Sequence, residues 1–137
     1  MEGKDFLTIA LQYCGSSSEA ERRTAVSRAY YALFNTIKYL LRAKGFPIRK
    51  SANGHDQLYR YLNNSGLTDA QAIASKLNSL RTVRNDADYE LHKSGFDVNN
   101  CTLYCRQAEK SFERFDSLNI EQLSKDIETY KKKINER

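Results

Sequence analysis

Apolar residues recur at steps of three and four along almost the whole of this chain, and a single proline, Pro47, interrupts its 137 residues. That spacing is the period of helices with one face turned to a core, and no stretch alternates apolar and polar residues for long enough to make a strand. The fold class is therefore all-α. Phe6, Ile9, Ala10 and Tyr13 predict a short first helix that stops at Gly15-Ser16-Ser17. Ser18, with Glu21 three residues on, reads as a capping box opening a long helix, whose seam Val26, Tyr30, Leu33, Ile37 and Leu40 runs on to Gly45-Phe46-Pro47. A smaller helix follows around Leu58 to Leu62, ended by Asn63-Asn64-Ser65-Gly66. Thr68 with Gln71 predicts the cap of another long helix, with the seam Ala70, Ile73, Leu77, Leu80, Arg84, Ala87 and Leu91. Cys101, Cys105, Ala108, Phe112 and Phe115 mark the next, and Ile120, Leu123, Ile127, Tyr130 and Ile134 the last, capped by Asn119. Short connections between long helices predict an up-and-down bundle of four main helices with one or two short ones, in one domain spanning residues 1–137.

At 40% hydrophobic and 28% charged residues the chain has material for one core. No apolar run approaches the ~18 residues of a membrane span, and the N-terminus mixes acids with a short apolar run, so a cytoplasmic protein is expected. Cys14, Cys101 and Cys105 are odd in number and lie in no CxxC spacing, which favours reduced core thiols over a disulfide framework or a zinc site. No Gly-rich phosphate loop, H-E-x-x-H, Ser-His-Asp or paired-carboxylate arrangement can be assembled, so neither a metal nor another cofactor is expected. The formal charge of +5 is local: Arg22 to Arg60 holds nine Lys/Arg against the single acid Asp56. Such a stretch collects phosphates by displacing condensed counterions, or is a solvated helix face.

Arg84 interrupts an otherwise apolar seam, and burying a guanidinium without a partner is costly, so either something pairs with it or the seam opens there. Asp88, four residues on, is a partner on the same helix. Arg81, Asn85, Asp88 and His92 follow steps of four, three and four, a polar ridge beside the apolar one. Two Arg forks, an amide and an imidazole converging there would suit a phosphate, whereas an intrahelical ion pair with a surface histidine is the plainer reading.

The string Ser27-Arg28-Ala29-Tyr30-Tyr31-Ala32-Leu33-Phe34, followed some fifty residues later by Arg84-Asn85-Asp86-Ala87-Asp88-Tyr89, resembles the HEPN domain (higher eukaryotes and prokaryotes nucleotide-binding). The glycine ending the first signature helix and His55 opening the short helix fit as well, and the resemblance covers about residues 5–118, with 119–137 an extra C-terminal helix. It implies an α-helical bundle, commonly a homodimer, often in toxin-antitoxin or anti-phage settings, and in many members a metal-independent endoribonuclease. There an Arg followed after four to six residues by a His is repeated across the dimer to make one RNA-cleaving site. Arg84 matches that arginine and Asn85 the polar residue after it, but Tyr89 stands where the histidine is expected and His92 lies eight residues on from Arg84. A phenol, with an ordinary pKa near ~10, is a poor base at neutral pH beside an imidazole near ~6.5.

The resemblance thus implies Arg84 stabilising phosphate charge and Asn85 orienting it; beside them Arg81, Arg28 and His55 are expected to bind nucleotide, and His92 or Tyr89 to move the proton. Asp88, Tyr30 and Tyr31 are expected as supports between the signature helices, with Asp88 accepting from Arg28 or from a tyrosine hydroxyl. His55 also reads as a solvated loop histidine, and Tyr30, Tyr31, Phe34 and Tyr39 as core and dimer seam. Two alternatives remain beside an RNA-engaging protein: an inert dimeric module that binds a nucleotidyltransferase or other partner, and a mononucleotide binder.

Overall fold

The computed structural model describes residues 1–135, and the last two residues of the expected C-terminal segment, 136 and 137, lie outside the described residues. The described residues form six helices and no strand: α1 (Gly3–Tyr13), α2 (Glu19–Ala43), α3 (Asn53–Asn63), α4 (Thr68–Tyr89), α5 (Val98–Asp116) and α6 (Ile120–Lys133). The four longest are α2, α4, α5 and α6, with α1 and α3 the short pair. No helix is long and apolar enough to cross a membrane.

Local chemistry sets the boundaries. Ser18 Oγ accepts from the Glu21 amide at 3.3 Å, while the Glu21 carboxylate accepts from Ser16 Oγ at 2.7 Å and Ser16 in turn accepts from the Ser18 amide at 3.1 Å. The predicted capping box is thus relayed through a second serine. At the other end of α2, the Phe46 amide donates to the Leu41 carbonyl at 2.8 Å and the Gly45 amide to the Arg42 carbonyl at 3.1 Å. That pair is a Schellman motif, and it requires the positive φ of 93° that Gly45 adopts. Thr68 is not the cap of α4: Leu67 holds that position without a side-chain bond, and Gln71 Nε2 instead donates back to the Ser65 carbonyl at 2.8 Å. Asn119 caps α6 as expected, accepting from the Gln122 amide at 3.1 Å.

The core gathers around α2, which packs against α1, α4 and α5, while α3 packs against α4 and α6. Leu33, Ile37, Leu58, Ile73, Leu77, Leu80, Leu123 and Ile127 are fully buried in the main cluster. Burying one such side chain contributes about 1.5–3 kcal/mol, which is why the periodic positions and not the propensities choose the helix faces. The cysteines are free and buried, as small core residues. A satellite cluster of Val26, Ala87, Phe96 and Cys101 closes the far end of α4.

The seam of α4 ends sooner than its periodicity suggests. The helix stops at Tyr89, so Leu91, 67% exposed, and His92 fall in the turn beyond it. The cause is Arg23 on α2. Its guanidinium donates to the carbonyls of Asp86, Ala87, Glu90, Leu91 and Lys93 at 2.7–3.2 Å and lies 4.3 Å from the Phe96 ring centroid. One buried cation therefore gathers carbonyls at the end of the helix and in the turn beyond it, those of Asp86 and Glu90 shared with the Glu90 and Lys93 amides.

Candidate nucleic-acid interface

Arg84 is held from every side. Its side chain is 17% exposed; Nε faces Asp88 Oδ2 at 3.0 Å, off the hydrogen-bond direction, so that contact is an attraction of charges. One terminal nitrogen donates to Asn85 Oδ1 at 2.7 Å and the other to the Tyr31 hydroxyl on α2. The guanidinium carbon also lies 4.7 Å from the Tyr31 ring centroid and 5.7 Å from that of Tyr89. Asp88 accepts in turn from Ser27 Oγ at 3.1 Å. The expected pair between Arg84 and Asp88 is present, but the link from Asp88 to α2 runs through Ser27 and not through Arg28 or a tyrosine. The reason is the helix face: Arg28 is exposed on the other side, its guanidinium 5.2 Å from the Phe6 ring centroid on α1.

His55 is not a solvated loop residue. It is 4% exposed, its Nδ1 is 2.7 Å from the Tyr30 hydroxyl, and its ring stacks on Phe34 at 6.2 Å between centroids. Burial, and then the nearby Arg81 charge, push the imidazole below its ordinary value, against opposing contributions from the Asn78 side chain and Asp56. Burial pushes the Tyr30 hydroxyl far above the usual phenol range, so it stays protonated and able to donate. When Tyr30 donates to Nδ1 the ring hydrogen sits on Nε2, which is buried. The pair ties α3 to α2 and places His55 inside the bundle.

The remaining candidates lie on the surface. Arg81, 31% exposed in its side chain, is 3.4 Å from Asp56 of α3. Asn85 is half-buried beside Arg84, Tyr89 is 71% exposed, and His92 is exposed in the turn after α4. The structure thus brings Arg84, Asn85, Asp88, Tyr31 and Tyr89 together and sets His92 off the helix that carries the others, because Arg23 ends that helix first.

Arg23 and Ser27 escaped the sequence reading. A signal for Arg23 existed, since the seam Val26, Tyr30, Leu33 extended one step back lands on position 23. Ser27 carried none. Arg22 is likewise engaged internally, donating to the carbonyls of Phe96 and Ser16, both at 2.8 Å, so two of the nine cations in the basic stretch serve the fold. Among the described residues no group of three or more His, Cys, Asp or Glu could hold a metal ion.

Comparison with known proteins gives one match: the family model described as the HEPN domain aligns with residues 15–128. It begins after α1 and runs into α6, where the signature motifs carried the resemblance over 5–118. No curated protein and no solved structure matches the chain.

Proposed function

The chain belongs to the HEPN domain family, and from that membership we propose that it binds RNA or nucleotide phosphates at the end of α4 without cleaving RNA at a useful rate. Arg81, Asn85, Tyr89 and His92 present the contact surface, and Arg84 holds that surface against α2. The observation that carries this reading is the engagement of Arg84. With its charge faced by Asp88 and its terminal nitrogens taken by Asn85 and Tyr31, it offers little to a developing phosphate charge. Cleavage by attack of the 2′-hydroxyl also asks for a base near neutral pKa beside that arginine, and Tyr89 in that place is a phenol. His55, the other imidazole, is locked to Tyr30.

The test is incubation of purified protein with a mixed RNA pool in EDTA, alongside a gel-shift titration of the same pool. The expected result is a shift without cleavage, with the shift weakened by Arg81→Gln and by Tyr89→Ala. Metal-independent cleavage that disappears in Arg84→Ala would overturn the reading and make Arg84 a catalytic group.

A second reading, a homodimer across this end of α4, is favoured by the exposure of Tyr89 and of Leu91, 67%, beside the arginine cluster. Light scattering on the eluting protein is expected to give twice the chain mass, falling to one chain in Leu91→Lys.

A further inference from the structure

A second basic site lies on α2, remote in sequence from the arginine cluster. The last two turns of α2 and the loop before α3 enclose a cavity of about 370 Å³ lined by Lys38, Tyr39, Arg42, Pro47, Ile48 and Lys50. That volume falls within the range of small-molecule sites, roughly 300–1,000 Å³. The loop that forms its wall is fixed: the Arg49 amide donates to Gln57 Oε1 at 2.8 Å, and Gln57 Nε2 donates to the Tyr61 hydroxyl at 3.1 Å. Gly54 lets α3 close on this loop, since a Cβ there would collide with the Arg49 carbonyl.

Among the described residues, three cations and no carboxylate line the cavity. Lys38 and Arg42 are one helical turn apart, a like-charged pair that costs α2 a few tenths of a kcal/mol. Positions three and four residues away from either hold Phe34, Asn35, Leu41, Tyr39, Gly45 and Phe46, none of them acidic. Lys38 lies 6.0 Å from the Phe34 ring centroid, and neither Arg42 nor Lys50 makes an ion pair among the described residues. Lys131 of α6 reaches over the Phe46 ring at 5.6 Å and adds positive charge to the same end of the molecule. The cavity on the other side of Tyr39, by contrast, is lined by Glu2 and Asp116 as well as Lys4. Tyr39 itself is 60% exposed, an aromatic ring standing between the two.

We propose that the cavity of Lys38, Tyr39, Arg42 and Lys50 binds a nucleoside phosphate, with the three cations on the phosphate and the Tyr39 ring against the base. An aromatic face stacks on any base, which makes such a site tolerant of sequence, and clustered cations supply affinity that falls with salt. Tyr31, Lys38 and Arg42 follow one stripe of α2, seven and then four residues apart, so Arg42 lies about 17 Å along the axis from Tyr31, the partner of Arg84. A strand engaged at the end of α4 would reach the cavity along that stripe. This continuity rests on the reading given above; the cavity as an anion site does not.

The experiment is fluorescence anisotropy of a short labelled single-stranded RNA, titrated with the full chain between about 50 and 200 mM salt, beside calorimetry with AMP. Lys38→Gln combined with Arg42→Gln is expected to weaken RNA binding at least about tenfold. The slope of log affinity on log salt is expected to shrink by about 1.4, or about 0.7 for each lost phosphate contact. Tyr39→Ala leaves the charge unchanged and is expected to cost roughly five- to hundredfold through lost stacking. Lys76→Gln with Lys110→Gln, the same charge change at exposed lysines on α4 and α5, is the control. An equal loss in the control, or no loss in the cavity variants, overturns the proposal. Saturable AMP binding that vanishes in the cavity variants identifies a free nucleotide as the ligand; loss confined to RNA identifies a phosphate of a strand. Should RNA binding depend on Lys38 and Arg42 but not on Arg81 or Tyr89, the cavity stands and the α4 surface falls; the converse removes the cavity alone.

Discussion

The two ends of α2 carry cations that do opposite things. Near its start Arg22 and Arg23 point inward and are consumed by carbonyls, Arg23 at 7% exposure with acceptors on five residues of α4 and the turn after it. Near its finish Lys38 and Arg42 line a cavity that holds no carboxylate among the described residues. Equal charge therefore has unequal meaning. A guanidinium that gathers carbonyls is a structural clamp, and a cation left without partners adds repulsion to the fold and is available to a ligand.

The largest expected effect is at Arg23. Arg23→Ala strips several charge-assisted bonds from the end of α4 and is expected to cost about 3 kcal/mol. That corresponds to a fall in Tm of roughly 10 °C for a domain of this size, read by calorimetry, with Arg23→Lys recovering part of it. A Tm within a couple of degrees of the parent's would remove the clamp from the comparison. Next comes Asp88: Asp88→Ala leaves the half-buried Arg84 charge facing no carboxylate, and urea unfolding is expected to show a loss of about 1–2 kcal/mol. Repeating it in an Arg84→Gln background should shrink that loss, since the coupling is what the two residues share.

A smaller effect is expected from His55. Its imidazole is held below its ordinary value in the fold, so on acidification the unfolded chain takes up the proton first. The stability this residue contributes is complete above about pH 6.5 and is lost as the pH falls from there through the lower folded value. Melting curves from neutral to mildly acidic buffer should show that decline, and His55→Gln should flatten it; an unchanged slope would place the sensitivity elsewhere. The smallest effect belongs to the outward cations. Lys38→Gln with Arg42→Gln is expected to change stability by less than about 0.5 kcal/mol, while reducing RNA binding as described. A marked destabilisation would make these residues structural too and erase the contrast between the two ends of α2.

Much of this architecture was legible beforehand, and the failures have local causes. The seams on α2 and α5 predicted most of the buried residues because a period of 3.6 must turn one face inward, and Val26, Tyr30, Leu33 and Ile37 are all in the core, whereas on α6 only Leu123 and Ile127 of the seam are buried and Ile134 is 41% exposed. The seam on α4 overran its end because periodicity records which face is apolar, not what takes the last carbonyls. His55 was misjudged for a similar reason: a polar residue in a Gly- and Ser-rich approach to a short helix reads as exposed until the fold lays it against Tyr30 and Phe34. Pairing of Arg84 with Asp88 was visible because both lie on one helix, whereas Ser27, Tyr31 and Arg23 act across sixty or so residues of chain.

By itself, then, the sequence determined the all-helical class, the order of the helices, the cap residues Ser18 and Asn119, the Gly45 stop, and the family to which the chain belongs. These follow from interactions within a few residues of chain and from apolar periodicity, which are written in linear order. Only the tertiary structure decided which cations are spent inside the protein and which face outward. That choice depends on which carbonyls, carboxylates and rings other helices bring to each guanidinium or ammonium, and a charge in a sequence carries no record of its distant neighbours.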